Sequence, residues 1–335
     1  MTYKIQHNIN FTQWSLFLDS NPQFNIFQTP EMYQVYNRTK NYEPIFLSVV
    51  NDAEEILGIL LAVIQKEHSG LLGDFSARSI IWGGPLIKDN NPEVLDYLLK
   101  EYNKIIKRKA IYSQFRNLWN WTDDEKLIFQ KNGFQYEAHL DILIDLKKSE
   151  DELWSNLKSQ ARNKIRKATK EGLTFARLST KEEVKIVYDI LEKVYNNAKL
   201  PIPALSLFLN AFDVLFESSM IAFFAAKYQN VVIGARIEFI FKGKVYDWYA
   251  GSNFEYYKYN PNDYLPWKIL QWAKDNGYNT FDFGGAGKPN EKYGVRDYKL
   301  KFGGELVEFG RFEKVHKPLL MKLGQLGMSI YKLLK

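Results

Sequence analysis

Apolar residues fall in short runs along the chain, and polar turns separate these runs. In the first half, apolar runs at 44–50 and 56–65 flank a turn at Asn51-Asp52, a pattern that predicts two antiparallel strands. Three further elements are predicted in order: a strand at 80–84, a helix at 92–109 that starts at an Asn-Asn-Pro signal, and a strand at 110–119.

The second half repeats this order of elements. Two apolar runs within 220–241 flank a turn at Gln229-Asn230, and ILGILLAV in the first half corresponds to VIGARIEF in the second. A strand at 244–251, a helix at 261–276 and a strand at 279–285 follow. The repeat predicts an α+β fold with two tandem domains, each a mixed sheet flanked by helices. Antiparallel strands followed by a helix and a parallel return resemble the acetyltransferase (GNAT) type of domain, which splays open beside that helix to hold an acyl donor.

Chain length and the polar run KKSEDE set the predicted domain boundaries. A chain of 335 residues exceeds the size at which one core usually keeps growing. We predict a first domain at 1–146, a second at 147–317 and a C-terminal helix at 318–335. The helix is amphipathic and basic, so it either docks on its own domain or lies on an anionic membrane surface.

Composition narrows the chemistry. Apolar residues make up 46% of the chain and the net charge is +6, which suits a globular protein and does not by itself indicate nucleic acid. Cysteine is absent, so thiolate metal sites and a cysteine nucleophile are excluded, and no metal is expected. The N-terminus is polar where a signal peptide would be apolar, so we expect a cytoplasmic protein, with the inner membrane surface as its second expected location.

A basic helix is predicted at 151–171, with an apolar stripe on one side. Its cations are either a solvated face or a site for several phosphates. Six cations occur without an intervening acid: Lys158, Arg162, Lys164, Arg166, Lys167 and Lys170. For a polyanion such as tRNA, the candidate ligands are Arg162, Lys164, Arg166 and Lys167.

A glycine-rich segment at 281–310 carries further cations, among them Arg296 and Lys299. Glycine permits tight turns and close approach of the backbone to a ligand, so the segment either binds an anion or only turns the chain. It lacks both the P-loop pattern and the dinucleotide-binding GxGxxG pattern.

Polar residues also interrupt strands that otherwise read as buried. Strand alternation predicts that Asp247 and Tyr249 share one face, and Arg236 lies across the preceding hairpin. These side chains line either a cleft or a solvated sheet face. Asp282 is expected to accept backbone hydrogen bonds in the glycine-rich turn in preference to acting as a general base.

Three segments together resemble the Fem (FemABX) family of peptidyltransferases: LWSNLKSQARNKIRKATKEGL, FDFGG and GVRDYKLKFGGELVEF. The last follows the family pattern GV-x-x-(F/Y)-K-x-x-FGG, and the resemblance covers nearly the whole chain. It implies two GNAT-like domains and a transfer of an amino acid from aminoacyl-tRNA to the peptide of a peptidoglycan precursor, with no cofactor. It also implies a lipid-linked or nucleotide-linked cell-wall precursor as the acceptor. The chain has no room for a long helical arm, so it resembles the compact members.

The resemblance also implies roles for particular residues. Lys299 matches the family lysine that stabilises charge near the transferred acyl group, with Tyr298 before it where Phe is usual. Tyr249 matches a substrate-contacting tyrosine. Tyr298 is a further substrate-binding candidate, and the residue pattern described above adds Arg236, Asp247, Asp282 and Arg296. A first-domain aspartate of some members has no counterpart in WGGPLIKDN, which leaves the acceptor open.

Two other functions fit the same residues. One is a coenzyme-A-dependent N-acyltransferase for envelope polysaccharide or lipid precursors, although the pyrophosphate loop (Q/R)-x-x-G-x-(G/A) is not found in AGSNFEYYKYNPNDYLPW. The other is a non-catalytic module that binds tRNA or anionic glycans through the basic helix. An aminoacyl ester is already activated, so its transfer needs mainly positioning and stabilisation of the oxyanion, which the residues present supply.

Overall fold

The computed structural model describes residues 2–6, 10–67, 73 and 75–323. Within these residues the chain forms two compact units. The first unit comprises the residues up to Ala138 together with those from Phe309 onward, and the second comprises His139–Glu308.

Fifteen strands and ten α-helices have both ends within the described residues and are numbered in chain order. The strands are β1 (Lys4–Gln6), β2 (Tyr42–Val50), β3 (Ile56–Gln65), β4 (Arg78–Trp82), β5 (Leu86–Ile87), β6 (Tyr112–Arg116), β7 (Gln135–Glu137), β8 (Leu140–Asp145), β9 (Thr174–Leu178), β10 (Ile221–Tyr228), β11 (Val231–Phe241), β12 (Lys244–Ser252), β13 (Thr280–Gly285), β14 (Glu305–Glu308) and β15 (Arg311–Val315). The helices are α1 (Phe11–Ser20), α2 (Pro30–Arg38), α3 (Pro92–Lys109), α4 (Asp123–Lys131), α5 (Glu150–Asn156), α6 (Ser159–Lys170), α7 (Lys181–Asn197), α8 (Leu205–Leu215), α9 (Pro261–Asp275) and α10 (Gly294–Lys299).

The sheet of the first unit has the order β1-β2-β3-β4-β6-β15-β7, with β5 beside β3. Only β4 and β6 run parallel among the pairs described in this sheet, because α3 returns the chain between them. Asn91 caps α3 and Pro92 opens it, as the sequence predicted. The helix packs on the sheet through an apolar stripe of Val94, Leu95, Leu98, Leu99, Tyr102 and Ile106.

The sheet of the second unit has the order β9-β10-β11-β12-β13-β8-β14. Here β12 and β13 are the parallel pair, and α9 connects them. Strand for strand this order corresponds to that of the first unit, which confirms the predicted repeat and the predicted fold of two GNAT-like α+β domains. The apolar side of α9 packs into the core of this unit with Leu265, Ile269 and Leu270.

The observed limits of the two units differ from the predicted ones. The prediction gave 140–145 to the first domain, but this strand pairs with β13 and β14 in the second unit. Conversely, β15 was assigned to the second domain and pairs with β6 and β7 in the first unit. The reason is physical: an apolar strand pattern states that a strand is buried, but not which strand it pairs with.

Two predicted helices also differ in detail. The single helix expected at 151–171 is two helices, α5 and α6, because Leu157 adopts an extended conformation and the Lys158 amide donates to the Lys301 carbonyl. The apolar stripe of the prediction is nevertheless buried. Of the helix predicted at 318–335, residues 318–323 are helical, and the remainder lies outside the described residues.

None of the helices within the described ranges is long and apolar enough to cross a bilayer.

Candidate active site

The candidate site lies in the second unit, where the parallel strands β12 and β13 stop pairing. Their register runs from Lys244 opposite Thr280 to Tyr246 opposite Asp282, and both strands continue beyond this point without pairing to each other. Beyond the last pair, therefore, backbone and side chains of both strands are available to other groups. This is the opening that the sequence predicted beside α9.

Arg236 on β11 and Asp247 on β12 form a buried ion pair at this opening. The guanidinium donates to both carboxylate oxygens, with Nε 3.2 Å from Oδ1, and the side chains are 4% and 7% exposed. A third guanidinium nitrogen donates to the hydroxyl of Tyr298 at 3.3 Å. The guanidinium is also 5.5 Å from the ring centroid of Phe283, so this cation is held from several sides.

A second carboxyl group, Glu238, lies next to this pair. It is fully buried, and neither of its oxygens has a hydrogen-bond partner among the described residues, although Arg236 Nε is 3.6 Å away. Burial raises the pKa of Glu238 well above its ordinary value, and the nearby Asp247 carboxylate raises it further. The protonated form of Glu238 is therefore favoured, so Asp247 is the carboxylate that balances the positive charge of Arg236.

Lys299, the predicted catalytic residue, reaches the same opening from the end of α10. Its Nζ donates to the carbonyls of Phe283 and Gly285 at 2.5 and 2.9 Å, and the ammonium has three N–H donors, so one remains for a substrate oxygen. Burial lowers the pKa of Lys299, while Asp247 opposes that effect.

The start of α9 closes the opening on one side. The Tyr298 hydroxyl donates to the Asn262 carbonyl at 2.6 Å, and burial raises the pKa of Tyr298 to about 12. The next residue, Asp263, is 5% exposed; its Oδ1 has no hydrogen-bond partner among the described residues, and its Oδ2 lies 3.5 Å from Lys164 Nζ. Helix α9 begins with Pro261, which lacks an amide donor, and its first turn contains the buried acidic residue Asp263.

Asp282 serves the backbone, as the sequence predicted. Its Oδ1 accepts a hydrogen bond from the Gly284 amide at 2.7 Å, and Gly284 has a φ of 68°, which favours glycine. Burial raises the pKa of Asp282 from 3.8 to about 6, although the Gly284 amide and Lys299 oppose this shift.

The raised pKa of Asp282 predicts a pH dependence of stability. Between about pH 4 and 6 the folded state holds more protons on this group than the unfolded state, so its contribution to the free energy of unfolding falls as the pH rises. We expect Asp282→Asn to remove that fall, which amounts to about 3 kcal/mol at most. Urea unfolding of both proteins at pH 4 to 8 measures it, and a difference between them that stays constant with pH would contradict the assignment.

Tyr249, a predicted substrate-binding residue, is separated from Asp247 by an irregularity in β12. A register shift at Ile237/Glu238 adds a residue to β12, so Tyr249 lies opposite Ile237 while Asp247 lies opposite Glu238. The prediction that Asp247 and Tyr249 share a face is therefore wrong. The Tyr249 ring packs instead against Phe208, with centroids 5.0 Å apart.

Arg296 holds the glycine-rich loop. Its guanidinium donates to the Lys288 carbonyl at 2.7 Å and to the Glu291 carbonyl. Its role in substrate binding stays a prediction, whereas Lys299, Tyr298, Arg236, Asp247 and Asp282 are brought together at one place.

The predicted tRNA-binding residues on α6 have different surroundings. Arg162 donates to the Ser155 and Leu157 carbonyls at 2.9 and 2.5 Å, so it caps the end of α5. Lys164 pairs with Asp263, and Lys167 is exposed. The Arg166 guanidinium lies 5.3 Å from the ring centroid of Trp154. Their role in binding tRNA stays a prediction.

Sequence reasoning missed the groups that surround the cluster. Neither Asn262 nor Asp263 was expected at the site, because an acidic residue in a first helical turn is common and no local pattern reports its burial. Glu238 is a polar residue in an otherwise apolar strand. Because Glu238 is two residues from Arg236, both side chains lie on one side of β11. This spacing is the sequence signal that could have placed Glu238 beside Arg236.

The comparisons with known proteins agree with this fold. Residues 155–300 match the family model described as an acetyltransferase (GNAT) domain. A crystal structure of FemX superposes with a TM-score of 0.72 at 18% identity, covering 96% of this chain and 99% of that one. The fold is therefore of the GNAT acyltransferase type.

Named relatives point to one group of these proteins. The lipid II:glycine glycyltransferase of Staphylococcus aureus (strain USA300) is 21% identical over 342 residues, covering 74% of this chain and 80% of the relative. The protein of the same name from Staphylococcus haemolyticus (strain JCSC1435) is 31% identical over 114 residues, covering 32% of this chain and 27% of the relative. The predicted resemblance to the Fem family is confirmed.

Proposed function

We propose that the protein transfers an aminoacyl group from aminoacyl-tRNA to an amine on the peptide of a peptidoglycan precursor. The observation that carries the proposal is the joint position of Lys299 and the Arg236–Asp247 pair where β12 and β13 diverge. The names of the relatives, lipid II:glycine glycyltransferases, indicate lipid II as the acceptor class. The reaction then takes place where lipid II meets the cytoplasm.

The chemistry of such a transfer needs little more than these groups. The acceptor amine attacks the ester carbonyl and a bond from nitrogen to carbon forms. The bond from that carbon to the ribose oxygen breaks, and the proton that the amine loses goes to the ribose oxygen. Negative charge develops on the carbonyl oxygen, and the third N–H of the Lys299 ammonium is available to stabilise it. The two backbone carbonyls that Lys299 contacts fix the position of this ammonium in advance.

The start of α9 favours this donor over acyl-coenzyme A. A diphosphate at a helix N-terminus is bound by free amides and the positive end of the dipole. Pro261 has no amide to donate to a phosphate, and the buried carboxyl group of Asp263 lies in the same turn, where it disfavours a second anion. The coenzyme-A-dependent alternative therefore has less support in this chain than the aminoacyl-tRNA donor.

The test supplies the purified protein with glycyl-tRNA, or another aminoacyl-tRNA, and lipid II, and follows the acceptor by mass spectrometry. We expect the mass of the acceptor to rise by one amino-acid residue. Transfer from acetyl-coenzyme A with none from any aminoacyl-tRNA would contradict the donor. Retention of labelled tRNA without any change in the acceptor would favour a binding module.

A further inference from the structure

A groove of about 340 Å³ lies on the second unit between α5, α6 and α9. Its walls combine tryptophan side chains with cations. Trp154 comes from α5, Arg166 and Lys170 from α6, and Trp267 and Lys268 from α9.

The tryptophans form a fixed aromatic wall. The ring centroids of Trp154 and Trp267 are 5.0 Å apart at an interplanar angle of 58°, and Trp267 is 4% exposed while Trp154 is half-buried. Burial holds Trp267 in place. The half-buried Trp154 leaves part of its ring exposed in the groove. The Arg166 guanidinium lies 5.3 Å from the ring centroid of Trp154, which is within cation–π distance.

The cations of the groove are available to an anion. Arg166 and Lys170 are exposed, and in the part of the chain that the structure describes no carboxylate lies within ion-pair distance of either. Lys268 donates to the amide oxygen of Gln271 at 2.9 Å, which leaves its charge uncompensated by that contact. Because α6 has no acidic residue along its length, the positive charge extends beyond the groove and suits a chain of phosphates.

The same two helices lead from the groove to the candidate active site. Lys164 on α6 contacts Asp263 on α9, and the neighbouring Asn262 carbonyl accepts the hydrogen bond of Tyr298. The helices that form the groove thus also contribute residues next to the candidate active site.

We propose that this groove binds unpaired nucleotides of an RNA, with a base against Trp154 and the adjoining phosphates on Arg166, Lys170 and Lys268. Aromatic side chains beside cations bind single-stranded nucleic acid in this way, because every base has a flat face and every linkage a negative charge. That the RNA is the single-stranded 3′ end of the donor tRNA rests on the proposed function. A lipid diphosphate offers neither a base nor a chain of charges, so it matches the groove less well.

The experiment measures binding of the fluorescein-labelled RNA tetranucleotide ACCA to the full-length protein by anisotropy over a range of salt concentrations. We expect Arg166→Ala/Lys170→Ala to weaken binding about tenfold or more and to reduce the slope of log affinity against log salt by about 1.4, since two phosphate contacts are lost. Trp154→Leu should weaken binding about fivefold or more without changing that slope. An abasic backbone of equal length should bind the unaltered protein weakly and be insensitive to Trp154→Leu.

The matched control is Lys107→Ala/Arg108→Ala, which removes two exposed charges from α3 in the first unit and should leave binding unchanged. Circular dichroism checks the fold, and Trp154→Phe, which keeps a flat ring, should restore most of the affinity. Equal binding by the double variant in the groove, equal binding of the abasic backbone, or displacement of ACCA by a polyprenyl diphosphate at lower concentration would overturn the proposal.

Transfer assays separate this proposal from the proposed function. If both hold, the groove variants raise KM for aminoacyl-tRNA with little change in kcat. Groove variants with unaltered KM and unaltered ACCA binding would reject the groove alone. ACCA binding that depends on the groove, in a protein without aminoacyl transfer, would reject the proposed function alone.

Discussion

Replacing Lys299 with Met should lower kcat of aminoacyl transfer by about 10² to 10³, the usual effect of removing one donor to a developing oxyanion. The Met side chain keeps much of the volume of the Lys side chain, but it has no charge and no N–H group that could donate a hydrogen bond. Because this donor acts in the transition state, KM should change much less than kcat. Steady-state kinetics with aminoacyl-tRNA and lipid II measure both constants.

Two companion variants make the result of Lys299→Met specific. Lys299→Arg keeps the charge but moves its donors away from the Phe283 and Gly285 carbonyls, so kcat should be intermediate. Lys292→Met removes an exposed cation from the same segment and should behave as the unaltered protein does. A Lys299→Met protein that folds normally and keeps kcat within about twofold would remove Lys299 from the mechanism.

Replacing Asp247 with Ala should cost about 3 to 5 kcal/mol in the free energy of unfolding, since the Arg236 guanidinium would stay buried without its main partner. Neighbouring Glu238 cannot take over the role without losing the proton that burial favours. Urea unfolding of the full-length chain at pH 7 measures the loss.

The control for Asp247→Ala is Asp213→Ala, which breaks the exposed pair with Lys181 and should cost at most about 1 kcal/mol. The double variant Arg236→Met/Asp247→Leu leaves no charge of this pair buried alone, so it should be more stable than Asp247→Ala. Similar losses for Asp247→Ala and Asp213→Ala would show that the buried pair contributes no more than a surface pair.

The fold was largely predictable because its signals are local. Turn residues, apolar runs and the Asn-Pro starts of α3 and α9 define most elements, and α3 was predicted with its observed limits. The repeat of these signals then predicted two similar domains. Strand partners are not local information, which is why β8 and β15 were assigned to the wrong units.

The candidate site was predictable only in part, for a related reason. Lys299 and Tyr298 were found through the resemblance, and Arg236 and Asp247 through polar residues in apolar strands. The register shift in β12 separates Asp247 from Tyr249, and alternation along a single strand contains no sign of it. The groove beside α6 escaped detection because Trp154, Arg166 and Trp267 come from three helices.

The place of β15 has a consequence for biosynthesis. This strand lies between β6 and β7, yet among the described strands it is the last that the ribosome releases, after every residue of the second unit. The unit that begins the chain is consequently the one whose sheet is completed later, contrary to the usual N-terminal-first order. Until Arg311–Val315 emerge, the nascent sheet carries open hydrogen-bonding edges at β6 and β7, and a product that stops before them keeps those edges exposed to aggregation.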